Sequence, residues 1–138
     1  MKNRLEPGMF IERTIKITPE MAASRFHESS PRVLSSPSLI TYLQTTCADA
    51  LAPFLDEHEL AVTVRMETSH LASTPVGMNI RIRAEILRTD GRRVYFKVEA
   101  FDDVEKIAEG FNDMFIIDKE RFERGVERKA SQTTGGKQ

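Results

Sequence analysis

The sequence predicts an α+β fold in which an antiparallel sheet wraps around one long helix. Three observations carry that expectation. One segment repeats apolar residues at three- and four-residue steps for more than four turns. The segments around it alternate apolar and polar residues, as half-buried strands do. The length of 138 residues, 40% of them hydrophobic, suffices for a single core.

The first strand is expected over residues 9–18, where Ile11, Ile15 and Ile17 oppose Phe10, Glu12, Thr14 and Lys16. Residues 19–27 hold a helical turn or two, and the Ser- and Pro-containing residues 28–32 read as a loop. The long helix starts near Ser36, because Ser36-Pro37 combines a preferred N-cap with proline at the first helical position. Its stripe of Leu39, Ile40, Leu43, Cys47, Ala50, Leu51 and Phe54 predicts one buried face ending near Leu55. The period then switches to alternation over residues 60–71, which puts Val62, Val64, Met66, Thr68 and His70 on one face. Met78, Ile80, Ile82, Ala84 and Ile86 define the next strand, and Val94, Phe96, Val98 and Ala100 the one after it. Asp90-Gly91 between them predicts a tight type I′ hairpin. A last strand runs from about Lys106 to Ile117. Residues 1–120 are therefore read as one domain, and 121–138 as a charged tail, disordered by composition over its final ten or so residues.

The 20 basic and 21 acidic residues leave a net charge of -1, so the chain carries no electrostatic footprint for nucleic acid or an anionic membrane. Residues 1–6 are charged and lack an apolar targeting segment, and no apolar run approaches the roughly 18 residues of a membrane span. The chain reads as cytoplasmic. Its single cysteine, Cys47, forms no internal disulfide and has no partner at zinc-ligand spacing, so no metal site is expected.

Two polar residues stand where the pattern reserves interior positions. Gln44 lies beside the buried stripe of the helix, either as a core amide bonded by backbone or as the lining of a cavity. His70 closes its strand just before a Pro-containing loop. It is either a structural histidine or a base whose ordinary pKa of about 6.5 suits neutral pH. His27 and His58 lie in polar stretches and read as solvated. Ser36 is either a plain N-cap or a hydroxyl at the positive end of the helix dipole, where a developing oxyanion would be stabilised. Neither a Gly-x-Ser-x-Gly elbow nor a Gly-rich phosphate loop occurs.

Two segments together resemble the fluoroacetyl-CoA thioesterase family, a branch of the hot-dog superfamily. Residues 36–44, Ser-Pro-Ser-Leu-Ile-Thr-Tyr-Leu-Gln, are similar to that family's helix start, a hydroxyl residue followed eight positions later by a glutamate. Residues 70–77, His-Leu-Ala-Ser-Thr-Pro-Val-Gly, are similar to its His-x-Ala-x-Thr-Pro-x-Gly segment. The resemblance implies a hot-dog fold, a homodimer, and acyl-CoA sites built between subunits. It places the catalytic roles on Ser36, Gln44 and His70, and substrate binding on Pro37, Thr74, Pro75 and Gly77. No separate cofactor is implied, since coenzyme A enters as part of the substrate. Gln44 departs from the family pattern, because an amide neither carries negative charge nor accepts a proton as a carboxylate does. The leading expectation is hydrolysis of a short-chain or small acyl-CoA thioester. The alternative is a hot-dog protein that binds acyl-CoA or a small ligand with little or no catalysis; a dehydratase is a third, weaker reading.

Overall fold

The computed structural model describes Met1 and residues 4–137, with residues 134–137 as backbone alone. Five antiparallel strands form one sheet in the order β1-β3-β4-β5-β2. These are β1 (Phe10–Lys16), β2 (Glu59–His70), β3 (Asn79–Asp90), β4 (Arg93–Phe101) and β5 (Lys106–Asp118). A short helix α1 (Ala23–Phe26) precedes the long α2 (Ser36–Leu51), which lies against the sheet, and α3 (Lys119–Lys137) follows β5. The α2 stripe meets the sheet through Leu39, Leu43, Cys47 and Leu51, all fully buried against Ile80, Ile82, Phe96, Val98 and Ile116. Burying each such aliphatic side chain contributes roughly 1.5–3 kcal/mol, and this apolar seam fixes the helix on the sheet. The helix ends at Leu51, earlier than the spacing predicts, because Pro53 falls in the 3₁₀ turn Ala52–Phe54 that closes it.

Strand β2 departs from simple alternation. A bulge between Thr63 and Arg65 inserts one residue, so Ala61 and Met66 both pack on the core although five positions separate them. Met66, Thr68 and His70 therefore share the face toward α2, while Val62 turns outward opposite Phe115, and Val64, on the bulge, is 49% exposed. The common face expected for the two valines and His70 is thus corrected: an insertion of one residue reverses every side chain before it. Opposite the end of β2, Gly110 is obligatory, since a Cβ there would fall within 1.9 Å of the Glu67 carbonyl oxygen.

The hairpin also differs in detail. Its two loop residues are Gly91 and Arg92, and Gly91 alone has positive φ (62°), the signature of a type II′ rather than a type I′ turn. At the C-terminus, the charged tail is helical as far as Lys137, although its composition predicts disorder over the final ten or so residues. The Asp118 carboxylate accepts from the Arg121 amide as a helix cap, and Glu120 pairs with Arg124 one turn on at 3.5 Å. Low hydropathy argues for disorder, but the same charged residues are good helix formers once a cap starts the turn.

Candidate active site

The first turn of α2 determines which serine is free. Ser35, not Ser36, is the N-cap: its hydroxyl accepts from the Ser38 amide at 3.1 Å and donates to the Ser38 hydroxyl at 2.9 Å. Ser36 is the first helical residue, followed by Pro37. The expected Ser36 cap is therefore corrected by one position, which releases the Ser36 hydroxyl. It lies 2.8 Å from Nδ1 of His70.

His70 reaches this place because β2 ends against β5. His70 pairs with Ala108, and the next amide, that of Leu71, donates to the Ile107 carbonyl at 2.7 Å. The loop beyond it is held by fully buried Thr74, whose hydroxyl donates to Asp102 at 2.9 Å and whose carbonyl accepts from Leu34 just ahead of α2. Asp102 in turn accepts from the amides of Val104 and Glu105. Gly77 takes φ +98°, open to glycine, and its amide donates to Ile17. Thr74, Pro75 and Gly77 thus shape the loop that carries the histidine. None of them lines the cavity beside it, whereas Pro37 does.

That cavity, about 380 Å³, is walled by Ser36, Pro37 and His70 on one side and by Phe26, His27 and Ser30 on the other. His27 is exposed, in keeping with the solvated reading, and also borders this space, with Nδ1 2.9 Å from the Ser29 hydroxyl. No periodicity marks a residue in so irregular a connector, so only the folded chain reveals its place. A larger hollow of about 620 Å³ lies at the other end of β2, against Phe115, Ile117 and Phe122, and contains none of these groups.

Burial lowers the His70 pKa from its ordinary value of 6.5, with the Ala72 carbonyl working against the shift. The ring is therefore neutral at pH 7 and able to accept a proton. Nδ1 is committed to Ser36, and the buried Nε2 has no partner among the described residues. Gln44 does not join this pair within one chain. Eight residues beyond Ser36, it lies about 12 Å further along the helix axis, where its amide donates to the Met66 sulfur at 3.4 Å. Among the described residues no group of His, Cys, Asp or Glu side chains is arranged to hold a metal ion. No helix there is long and apolar enough to cross a membrane.

The model of the fluoroacetyl-CoA-specific thioesterase family matches residues 17–120, spanning α2, all of β2 to β5 and both serine and histidine positions. The chain belongs to this family. The fluoroacetyl-CoA thioesterase of Streptantibioticus cattleyicolor is 25% identical over 135 residues, covering 94% of this chain and 97% of that one. Among solved structures, a thioesterase superfamily member from Thermus thermophilus superposes with a TM-score of 0.87 at 28% identity, covering 96% of this chain and 98% of its own. A mutant of the fluoroacetyl-CoA thioesterase FlK in complex with acetyl-CoA gives 0.84 at 25% identity, covering 91% and 98%. These matches and the sheet curled on α2 make the fold a hot-dog. The matched range takes in Ser36 and His70, the two side chains found in contact.

Proposed function

We propose that this protein hydrolyses a short acyl-CoA thioester, with Ser36, His70 and Gln44 at the reacting centre. The observation that carries the reading is the Ser36–His70 contact at the N-terminus of α2, facing a cavity, in a chain of a thioesterase family. Coenzyme A enters as part of the substrate, as acetyl-CoA does in the complex of the FlK mutant, and no separate cofactor takes part. The thioester carbonyl oxygen sits before the first turn of α2. There the Ser36 hydroxyl donates to it, and the helix dipole stabilises the charge that develops. His70 Nδ1–H donates to Ser36 Oγ in this arrangement, which leaves Nε2 as the base. Water gives a proton to Nε2 while its oxygen bonds to the carbonyl carbon; collapse of the tetrahedral intermediate breaks the C–S bond; and the imidazolium returns the proton to the departing thiolate. The products are a carboxylic acid and free coenzyme A.

Turnover is checked by thiol release from a panel of acyl-CoAs, and the reading is lost if none is cleaved. On a cleaved substrate, kcat/KM is expected to hold from neutral pH down past 6.5 and to fall only below it, because burial depresses the His70 pKa. The stability effect has the same direction. The unfolded chain takes up this proton first, so stability is lost as pH falls from 6.5 through the folded pKa. An acid limb centred above 6.5 would exclude His70 as the base.

A homodimer with sites built between subunits is part of the proposal. β2 offers a twelve-residue edge paired on one side only. The gap of about 12 Å between Gln44 and Ser36 along one helix is bridged if Gln44 acts on the pair carried by a second copy. A monomer mass at micromolar concentration would overturn this arrangement. A cytoplasmic location, without nucleic-acid or membrane partners, accompanies it. The near-neutral charge and the buried free thiol of Cys47 support that location. A binding protein with little catalysis is favoured by one observation alone, the amide of Gln44 in place of a carboxylate.

A further inference from the structure

Ser36 and His70 are 34 positions apart, one at the start of α2 and the other at the end of β2. A short ladder of backbone bonds joins these two ends. The Leu34 amide donates to the Thr74 carbonyl at 2.8 Å, the Val76 amide donates to the Arg32 carbonyl at 3.2 Å, and Val33 bridges Pro75 between them. Leu34 lies just before Ser36 and Thr74 just after His70, so the ladder ties the start of the helix to the loop that carries the histidine. Backbone bonds also fix that loop at either end, from the Leu71 amide to Ile107 and from the Gly77 amide to Ile17. Its centre is held by a side chain. Thr74 is fully buried, and its hydroxyl donates at 2.9 Å to Oδ2 of Asp102, 28 positions away. Among the described residues this is the one hydrogen bond made by a side chain of residues 71–77.

Asp102 is fixed to receive that bond. Its Oδ1 accepts from the amides of Val104 at 2.8 Å and Glu105 at 2.9 Å, and its own amide donates to the Glu105 carbonyl, so the turn between β4 and β5 grips it on both sides. Burial opposes the charge, but the bonds from Val104, Glu105 and Thr74 outweigh it and hold the carboxyl below its ordinary value of 3.8. The group is therefore ionised at neutral pH, and a bond to it is stronger than one between neutral groups.

We infer that Asp102, acting through Thr74, is the positioning residue that sets His70 against Ser36, and that it contributes to kcat rather than to substrate binding. This rests on the thioesterase reading above. Neither Asp102 nor Thr74 lines the cavity beside the pair, so their effect reaches the reaction through the histidine. A contact of 2.8 Å leaves little room for drift, and a displacement of about 1 Å at a reacting group lowers a rate by about 10². Valine in place of Thr74 keeps the branched side chain and removes the bond, so the hydroxyl is tested apart from the volume it fills.

The experiment compares the full-length wild type with Thr74→Val, Thr74→Ser and Asp102→Asn, measuring kcat, KM, the melting temperature and the NMR signals of the His70 ring. Thr74→Val is expected to lower kcat by about tenfold to a hundredfold with KM within about threefold, and to shift the His70 Nδ1 signal as its contact with Ser36 loosens. Asp102→Asn keeps an acceptor for the Val104 and Glu105 amides but turns an NH2 toward Thr74, and is expected to act in the same direction to a smaller degree. Thr74→Ser is expected to recover most of the rate and the wild-type ring signal. Wild-type kcat or an unchanged ring signal in folded Thr74→Val and Asp102→Asn, whatever their melting temperatures, overturns the inference, as does a Thr74→Ser protein no better than Thr74→Val; thioester hydrolysis then stands and the bond serves the fold alone. If Thr74→Val does not fold, Asp102→Asn decides by the same two readouts. If the wild type cleaves no thioester, the ring signals decide: a shift in the first and third variants that Thr74→Ser reverses upholds the positioning while the hydrolytic reading fails, and an unchanged signal overturns it.

Discussion

Replacing His70 with alanine is expected to lower kcat/KM for acyl-CoA hydrolysis by about 10² to 10⁴, the usual contribution of a positioned base, with little change in melting temperature. The rate effect follows from the division of labour between the two ring nitrogens. Nδ1 meets Ser36 at 2.8 Å, and Nε2 is buried without a partner among the described residues, so in the proposed mechanism one side chain both aligns the hydroxyl and takes the proton. The small stability effect follows from the same unpaired nitrogen. Removing a half-buried ring that leaves one polar atom unsatisfied forfeits packing but also removes a penalty of about 1–3 kcal/mol. His70→Asn separates the two duties, because its amide can still meet Ser36 but cannot act as a base near neutral pH. Steady-state kinetics with thermal melts of both variants decide the matter. Wild-type rates in His70→Asn would show that the ring only orients Ser36, and wild-type rates in His70→Ala would remove it from the chemistry.

Gln44→Glu is expected to raise kcat at least about tenfold, equivalent to about 1.4 kcal/mol of transition-state stabilisation, while KM moves little. Among the described residues the side-chain amide of Gln44 makes one weak hydrogen bond, to the Met66 sulfur at 3.4 Å. A carboxylate there is half-buried, so its pKa rises toward the range in which it exchanges protons with water at neutral pH. The substitution exchanges one amide nitrogen for an oxygen without changing side-chain length, so the gain is expected in kcat rather than in KM. Thiol-release kinetics of the variant beside the wild type provide the check. A fall in kcat would mean that the glutamine belongs to a working mechanism in which an amide aligns water or thioester; a steep rise from a very low wild-type rate would favour the binding-protein reading.

Much of this was legible in the residues because burial against one sheet imposes a period on the chain. The α2 stripe, the alternation of β3 and β4, and the strand and helix order are all visible in the sequence and recur in the structure. The site was legible in part. His70 and Ser36 stood out as polar groups at element ends, and their side chains meet in the structure, whereas Gln44, grouped with them by the resemblance, contacts Met66 within this chain.

What only the tertiary structure decided are features that no period encodes. A one-residue bulge at Val64 turns Val62 away from the face that carries His70, because side-chain direction counts residues and an insertion shifts the count. Competition among adjacent serines for the α2 cap is settled by where the preceding loop enters the helix; Ser35 takes the capping role and Ser36 is left to meet the histidine. His27 joins the cavity wall through an irregular connector. The sequence by itself determined the α+β hot-dog class and the residues that could react. Which of them meet depends on contacts between segments far apart in the chain, since hydrogen bonds of about 3 Å are set by packing rather than by spacing along the backbone.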